Sequence, residues 1–521
     1  SLLADRQQAS RDLILRSHQN SKDAIVVQTH VCMLDLYELV LSTHTDYAQL
    51  RMHLADTPVL NSLRDLAYKA ARDIESVAYA VTRKRVSRAR IDYAPELDAI
   101  DAEIGALHQR VEDGKPAQEA LAVLRAQRNK VRAIVKMIGE LHLSTQKAYD
   151  STPFWIDADM APFLSQQKYE FKTVLSHLRF DSPILRFSLR MAMAISVGLA
   201  IGEHLPYAAH SYWIVLTIVI ILKPSFSMTK QRRSDRIIGT VIGCVLTALV
   251  IRFFNYPAVI LGILVLSTVA TPTFVYLRYR YAAIAVSMMI LLEMHLLAPG
   301  NGNVVMERLV DTLIGAAVAT VFSFVLANWE YQSLPALIRR VLDVNLCYME
   351  ASFALIQGQC RDDFSYRIER KRLMDSLAML SSALVRMLDE PARKQRAVED
   401  INLFIVQNYL LVAHVAALRS ILRRHASELP AGAVNAMLAR SHAQVCRTLT
   451  LALAQHGQKV VAAPRIEAEA ALSPADGAWS GWPLVQRRIR LLQADADKII
   501  IHSEAIVRDV LEMEGAVRPA V

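Results

Sequence analysis

Apolar residues run almost unbroken through six stretches in the middle of the chain, at 184–204, 206–222, 237–254, 257–277, 281–297 and 309–327. Each is near the ~17 to 25 residues that carry a helix across ~30 Å of hydrocarbon, so the pattern predicts six membrane-spanning helices. The second is the weakest, because its continuously apolar part runs only from Trp213 to Leu222. Outside these stretches the period changes to that of amphipathic helices. Before them, apolar positions recur at helical spacing in DLILRSHQNSKDAIVVQTHVCMLDLYELVL and LRDLAYKAARDIESVAYAV, and Gly114-Lys115-Pro116 breaks a helical hairpin over 95–147. After them, stripes at 334–357, 364–388, 395–425 and 431–457 are followed by a Pro/Gly/Ala-rich stretch from Val460 to Pro483 and a last helix to about Glu514. The expected fold is all-α. A six-helix transmembrane domain at 181–330 is flanked by two helical cytoplasmic domains, 1–180 and 331–521.

Charge orients these helices. The connector after the second stretch carries Lys223, Lys230, Arg232, Arg233 and Arg236, and the one after the fourth carries Arg278 and Arg280; the opposite connectors offer only Arg252 and Arg308. Seven cations against two predict that the basic side, and both soluble regions with it, face the cytoplasm. The net charge of +9 is therefore assigned to anionic lipid or anionic cargo before nucleic acid. The basic run from Arg83 to Arg90 lacks the interleaved aromatics of a nucleic-acid stacking surface, so it is read as a solvated helix end.

Five scattered cysteines with no C-x-x-C pair fit a reducing compartment and argue against a disulfide framework or a zinc site. No phosphate-binding loop, nucleophile elbow, H-E-x-x-H or dinucleotide fingerprint occurs, so no catalytic residue, cofactor or metal is expected. His204, His210 and Glu203 lack the further carboxylate that a metal site would need. The chain starts at Ser1 within an amphipathic pattern, without a signal-peptide pattern.

An anion crossing hydrocarbon needs fixed positive charge and hydroxyl donors around a wet path. Lys223 and Arg236 bracket the largest basic connector, Arg186 and Arg190 stand one turn apart on one helix face, and Thr217 and Thr240 supply hydroxyls. For each cation the competing reading is a side chain that snorkels to headgroups and sets topology. Glu293, with His295 and Asp311 as lesser candidates, is expected to couple transport to protons, against the alternative of a polar residue hydrogen-bonded between helices. Gly198/Gly202 and Gly239/Gly243 are G-x-x-x-G pairs and Gly315/Ala319 is the small-residue version, which predicts close helix packing. RIIGTVIG from Arg236 also echoes RLVDTLIG from Arg308, pairing Arg236 with Arg308, Thr240 with Thr312 and Gly243 with Gly315. Three helices apart, the copies enter the membrane from opposite sides, as in an inverted repeat. With four identities in eight positions, chance similarity between apolar helices is the competing reading.

The segment YWIVLTIVIILKPSFSMTKQRRSDRIIGTVIG, through Trp213, Thr217, Pro224, Thr229, Arg236, Gly239, Thr240 and Gly243, resembles the fusaric acid resistance and aromatic acid exporter family (FUSC), as does ERLVDTLIGAAVA through Arg308, Thr312 and Gly315. The resemblance covers about 180–340 and implies a bacterial inner-membrane exporter, or passive pathway, for small organic anions, built as a homodimer or larger assembly in membrane lipid. It also adds Trp213 and Pro224 to the pathway candidates and implies a further membrane half preceding this chain. A membrane-anchored scaffold acting through its soluble helices is the alternative of a different class. Ionisable residues at membrane depth speak against a pure anchor.

Overall fold

In the computed structural model of the chain the described residues are 29–30, 32–37, 39–40, 59–83, 85–112, 118–146, 177–180, 182–204, 212–254, 256–297, 304–358, 363–424, 431–455 and 482–517. Every regular element among them is a helix, with no strand. In chain order the helices are α1 (Val59–Thr82), α2 (Ala94–Glu112), α3 (Gln118–Ser144), α4 (Pro183–Glu203), α5 (Tyr212–Ile221), α6 (Phe226–Phe253), α7 (Pro257–Leu277), α8 (Tyr279–Leu297), α9 (Val304–Phe324), α10 (Leu334–Ile356), α11 (Asp363–Leu388), α12 (Val398–Arg424), α13 (Ala431–Gln455) and α14 (Trp482–Val517). They form two compact units, one of residues 168–335 and 382–398, the other of residues 1–167, 336–381 and 399–521.

In the second of these units α1, α2 and α3 pack around Leu66, Ile100, Leu107, Leu121 and Leu124. Arg128 and Arg132 of α3 both bind Asp101 of α2, which registers the antiparallel hairpin expected from the break at 114–116; the break itself lies outside the described residues. A buried polar chain crosses this bundle. Ser87 Oγ lies 2.9 Å from His142 Nδ1, His142 Nε2 lies 3.0 Å from Asp73 Oδ1, and Tyr93 donates to Asp73 Oδ2 at 2.9 Å. With Ser87 and His142 buried and Tyr93 occupying the second carboxylate oxygen, this array pins α1, α3 and the segment between α1 and α2 together. The arginines after α1 lie outside any helix, and Arg83 stacks on Tyr79. On the C-terminal side Asn345 donates to Asn408, and His414 and His502 pair with Asp495 and Asp400, so α12 is held between α10 and α14. Val398–Leu422 is long and apolar enough to cross a membrane, yet 72% of its most apolar window is buried inside the chain, as a core helix requires.

The first unit holds α4 to α9. Pro183–Glu203, Phe226–Phe253, Pro257–Val275 and Tyr279–Leu297 are each long and apolar enough to span a bilayer, and the all-α polytopic membrane fold expected from the sequence is the fold observed. Two boundaries differ from the apolar pattern. α6 begins at Phe226, capped by Ser225 Oγ on the Met228 N–H, so Lys230, Arg232, Arg233 and Arg236 ride on its first turns instead of lying in a connector. α9 begins at Val304, because Glu307 and Arg308 lower hydropathy without opposing helix formation. The start of the second stretch, 206–211, lies outside the described residues.

Candidate functional site

The six helices are held together by glycine seams. Gly239 and Gly243 bring α6 against α8: a Cβ on Gly239 would meet Ala283 Cβ at 2.5 Å, and one on Gly243 would meet the Ile284 carbonyl at 2.9 Å and Ser287 Cβ at 2.7 Å. Gly315 brings α9 against α5 in the same way, its Cβ position lying 3.0 Å from the Ile214 carbonyl and 2.8 Å from Thr217 Cβ. Contacts advance together along each pair, so α6 runs parallel to α8 and α9 parallel to α5. By contrast Arg233 of α6 donates to Thr320 near the end of α9, while Cys244, later in α6, packs with Val304 at its start, so α6 and α9 are antiparallel. The third helix of each half, α4 to α6 or α7 to α9, thus seats its glycine on the second helix of the other half. In both seams the glycine faces an isoleucine carbonyl and the β-hydroxy residue three positions later. The inverted repeat raised by the RIIGTVIG and RLVDTLIG echo therefore has a structural counterpart.

Arg236 and Arg308, equivalent in the echo, are 1% and 0% exposed. Among the described residues nothing accepts a hydrogen bond from Arg236 Nε or Nη2, or from Arg308 Nε, Nη1 or Nη2, and the Thr217 and Thr240 hydroxyls are equally unpartnered. Arg308 lies over the Trp213 ring at 4.8 Å and within Coulombic reach of Arg236 and Asp311; both arginines also act on Cys244. Burying a guanidinium without acceptors costs several kcal/mol, and the Trp213 face returns only ~0.5 to 2 kcal/mol. The remaining donors are open to acceptors beyond the described residues, such as water or an anion.

The other expected residues are placed differently. Arg190, 2% exposed, donates through Nη2 to the carbonyls of Lys223 (2.8 Å) and Pro224 (3.0 Å), fastening α4 to the turn after α5. Thr229 closes that turn by accepting the Lys223 N–H and donating to carbonyl oxygens. Arg186 donates to the Phe180 carbonyl at the start of α4, Lys223 is half-buried and Pro224 exposed. Trp213 and Thr217 are buried beside α9. Gly198 is pressed against Ile214 and Ile218, and Gly202 is buried on the same helix. Of the three proton-coupling candidates, Glu293 is exposed on α8 and His295 half-buried, whereas Asp311 is 0% exposed near Arg308. In the sequence Arg308 counted as a connector cation, a family marker and a repeat position, not as a pathway candidate; its spacing from Gly315, matching that of Arg236 from Gly243, was the signal available. Among the described residues no group of three His, Cys, Asp or Glu side chains is arranged to hold a metal.

At the α6 N-terminal end, residues 386–390 close against the bundle. Ser227 donates to Asp389 (2.6 Å), Arg386 makes a two-pronged bond to Glu330 (2.6 and 3.0 Å), and the Glu330 N–H donates to Glu390 Oε1 (3.0 Å). Burial pushes the Glu390 carboxyl up to about 7; the hydrogen bond from the Glu330 N–H opposes this, the Glu330 carboxylate adds to it, and Arg386 and Lys394 oppose it.

Residues 193–322, which contain both arginines, match the family described as fusaric acid resistance protein-like, and residues 1–137 match the FUSC-like inner membrane protein YccS family. An uncharacterized protein of Haemophilus influenzae is 25% identical over 413 residues, 77% of this chain and 55% of the relative. The inner membrane protein YccS of Escherichia coli K12 is 26% identical over 391 residues, 74% of this chain and 53% of the relative. The uncharacterized E. coli protein YhfK is 25% identical over 273 residues, 52% of this chain and 37% of the relative. The chain spans about half the length of the first two. A six-helix bundle built on these two motifs, together with the matches at 193–322 and 1–137, makes this chain a membrane protein similar to the FUSC family over those residues.

Proposed function

We propose that the protein exports small organic anions, aromatic or amphipathic in character, across the bacterial inner membrane, and that the anion passes Arg236 and Arg308 within the α4–α9 bundle. The observation that carries this reading is the pair of buried guanidinium groups with donors unused by the described residues, beside the unpartnered hydroxyls of Thr217 and Thr240. A carboxylate fits such donors in both charge and geometry. The family name supports the choice of cargo, since fusaric acid is an aromatic carboxylic acid. Asp311, buried within reach of Arg308, is the carboxyl group placed to exchange a proton as the anion leaves. In this reading the basic ends of the helices and both soluble regions are cytoplasmic, and the protein works in lipid as a homodimer or larger assembly without covalent catalysis.

The test is flux of a panel of aromatic carboxylates from proteoliposomes holding the full-length protein, comparing wild type with Arg236→Gln and Arg308→Gln at equal incorporation. Export reduced in both variants supports the assignment. Unchanged export in both removes the arginines from the path, and absence of flux in the wild type favours a scaffold that acts through its soluble helices.

A further inference from the structure

A second, separate basic feature lies at the end of the bundle where α6 and α8 begin. The last turn of α7 and the first turns of α6 and α8 enclose a cleft of about 500 Å³. Three guanidinium groups line it, from Arg232, Arg278 and Arg280, against one carboxylate, Asp235. Arg280 is already engaged, its Nε 2.9 Å from Asp235 Oδ1. Arg232 lies over the Tyr279 ring at 4.3 Å, a contact that leaves its N–H donors without a hydrogen-bond partner among the described residues. The Tyr279 hydroxyl is buried and has no hydrogen-bond partner among the described residues. Arg278 lies in the break between α7 and α8, exposed, with no side-chain partner among them. The cleft thus presents two uncommitted cations and a phenol hydroxyl.

Its rim is greasy. Leu277 is 70% exposed, Met228 46% and Val275 42%, and Val275 ends the apolar span of α7. Polar donors at the level where hydrocarbon stops, bordered on the membrane side by apolar side chains, match a molecule with an anionic head and acyl tails. A phosphodiester brings one delocalised charge and acceptor oxygens that suit guanidinium and hydroxyl donors, and basic pockets between membrane helices take such headgroups.

We infer that this cleft is a specific site for an anionic phospholipid, whose phosphate sits among Arg232, Arg278 and Tyr279 and whose acyl chains lie along Val275 and Leu277. The inference does not depend on what the bundle transports. Asp235 has a definite role here: by neutralising Arg280 it confines the attraction to the Arg232/Arg278 side.

Native mass spectrometry of the full-length protein with phosphatidylglycerol or phosphatidylcholine added at equal concentration reads the site directly. Wild type is expected to retain phosphatidylglycerol preferentially, and Arg232→Gln with Arg278→Gln to lose that preference by roughly tenfold. Should the double variant fold poorly, Arg278→Gln alone, at an exposed and unpaired position, gives the same reading with a smaller change. Glycerol phosphate and benzoate report on a soluble anion in place of a lipid, and neither is expected to displace phosphatidylglycerol. Equal retention of the two lipids by wild type, retention unchanged in the variants, or displacement by either soluble anion would overturn the proposal.

Discussion

The guanidinium of Arg308 lies 4.8 Å above the centre of the Trp213 ring, joining the second turn of α9 to the first turn of α5 inside the bundle. The contact stabilises a cation that the described residues leave without hydrogen-bond acceptors. Trp213→Leu is therefore expected to keep the bundle packed but lower anion flux in proteoliposomes, since ~0.5 to 2 kcal/mol of support for the buried charge is removed. Arg308→Lys is expected to lose more than Trp213→Leu, because an ammonium group offers one compact charge where the guanidinium offers a fork. Flux in Arg308→Lys equal to wild type would mean that charge alone matters there.

The two seams predict matched effects. Gly243→Ala and Gly315→Ala each drive a Cβ to within 3.0 Å of a neighbouring helix carbonyl, where backbone cannot yield cheaply. Each is expected to cost ~1 to 3 kcal/mol, read as a lower melting temperature in detergent. Gly139→Ala, with nothing within 4 Å of its Cβ position, is the control. It is expected to be neutral or to stabilise by ~0.5 to 1 kcal/mol, as a helix-interior Gly→Ala change does. A Gly315 variant as stable as the Gly139 variant would show that α5 and α9 do not meet as described.

Glu390 gives a pH dependence with a defined sign. Its carboxyl titrates at about 7 in the folded protein against 4.5 when unperturbed, so the fold prefers the neutral form. Stability contributed by this group is present below pH 4.5 and lost as pH rises through about 7. Glu390→Gln keeps an acceptor for the Glu330 N–H while removing the charge. Thermal melts from pH 5 to pH 8 should show wild type falling relative to the variant, by at most ~3 kcal/mol. Parallel curves would contradict the assignment.

Asp73 holds both His142 and Tyr93 in the interior of the helical hairpin unit. Asp73→Ala strands two buried polar partners and is expected to destabilise that unit by ~2 to 4 kcal/mol. Thr82→Ala, exposed and bonded only back to the Ala78 carbonyl, is expected to change little. Denaturant unfolding followed by circular dichroism separates the two.

Much of the helix layout was legible because hydrocarbon spanning and amphipathic packing leave different periods in a sequence. The ends were less so: Lys230 to Arg236 look like a connector by hydropathy, yet a Ser225 cap and good helix formers continue α6 through them. Direction within the bundle was least legible. A wholly apolar span has no polar face to mark its outside, so nothing local distinguishes Glu293, which is exposed, from Asp311, which is buried. Likewise Arg190 and Arg308 are both single cations beside apolar runs; one fastens main-chain carbonyls and the other keeps its donors unused by the described residues, a difference made by tertiary contacts alone.

Because α6 lodges on α8 and α9 lodges on α5, neither three-helix half can close around its own last helix. Each completes the other, as two copies of a protein do when they trade an identical arm in a domain-swapped dimer. Here the trade takes place within one polypeptide. Any rearrangement of the bundle that preserves both seams would carry α6 with α8 and α9 with α5, each pair drawn from both halves of the chain.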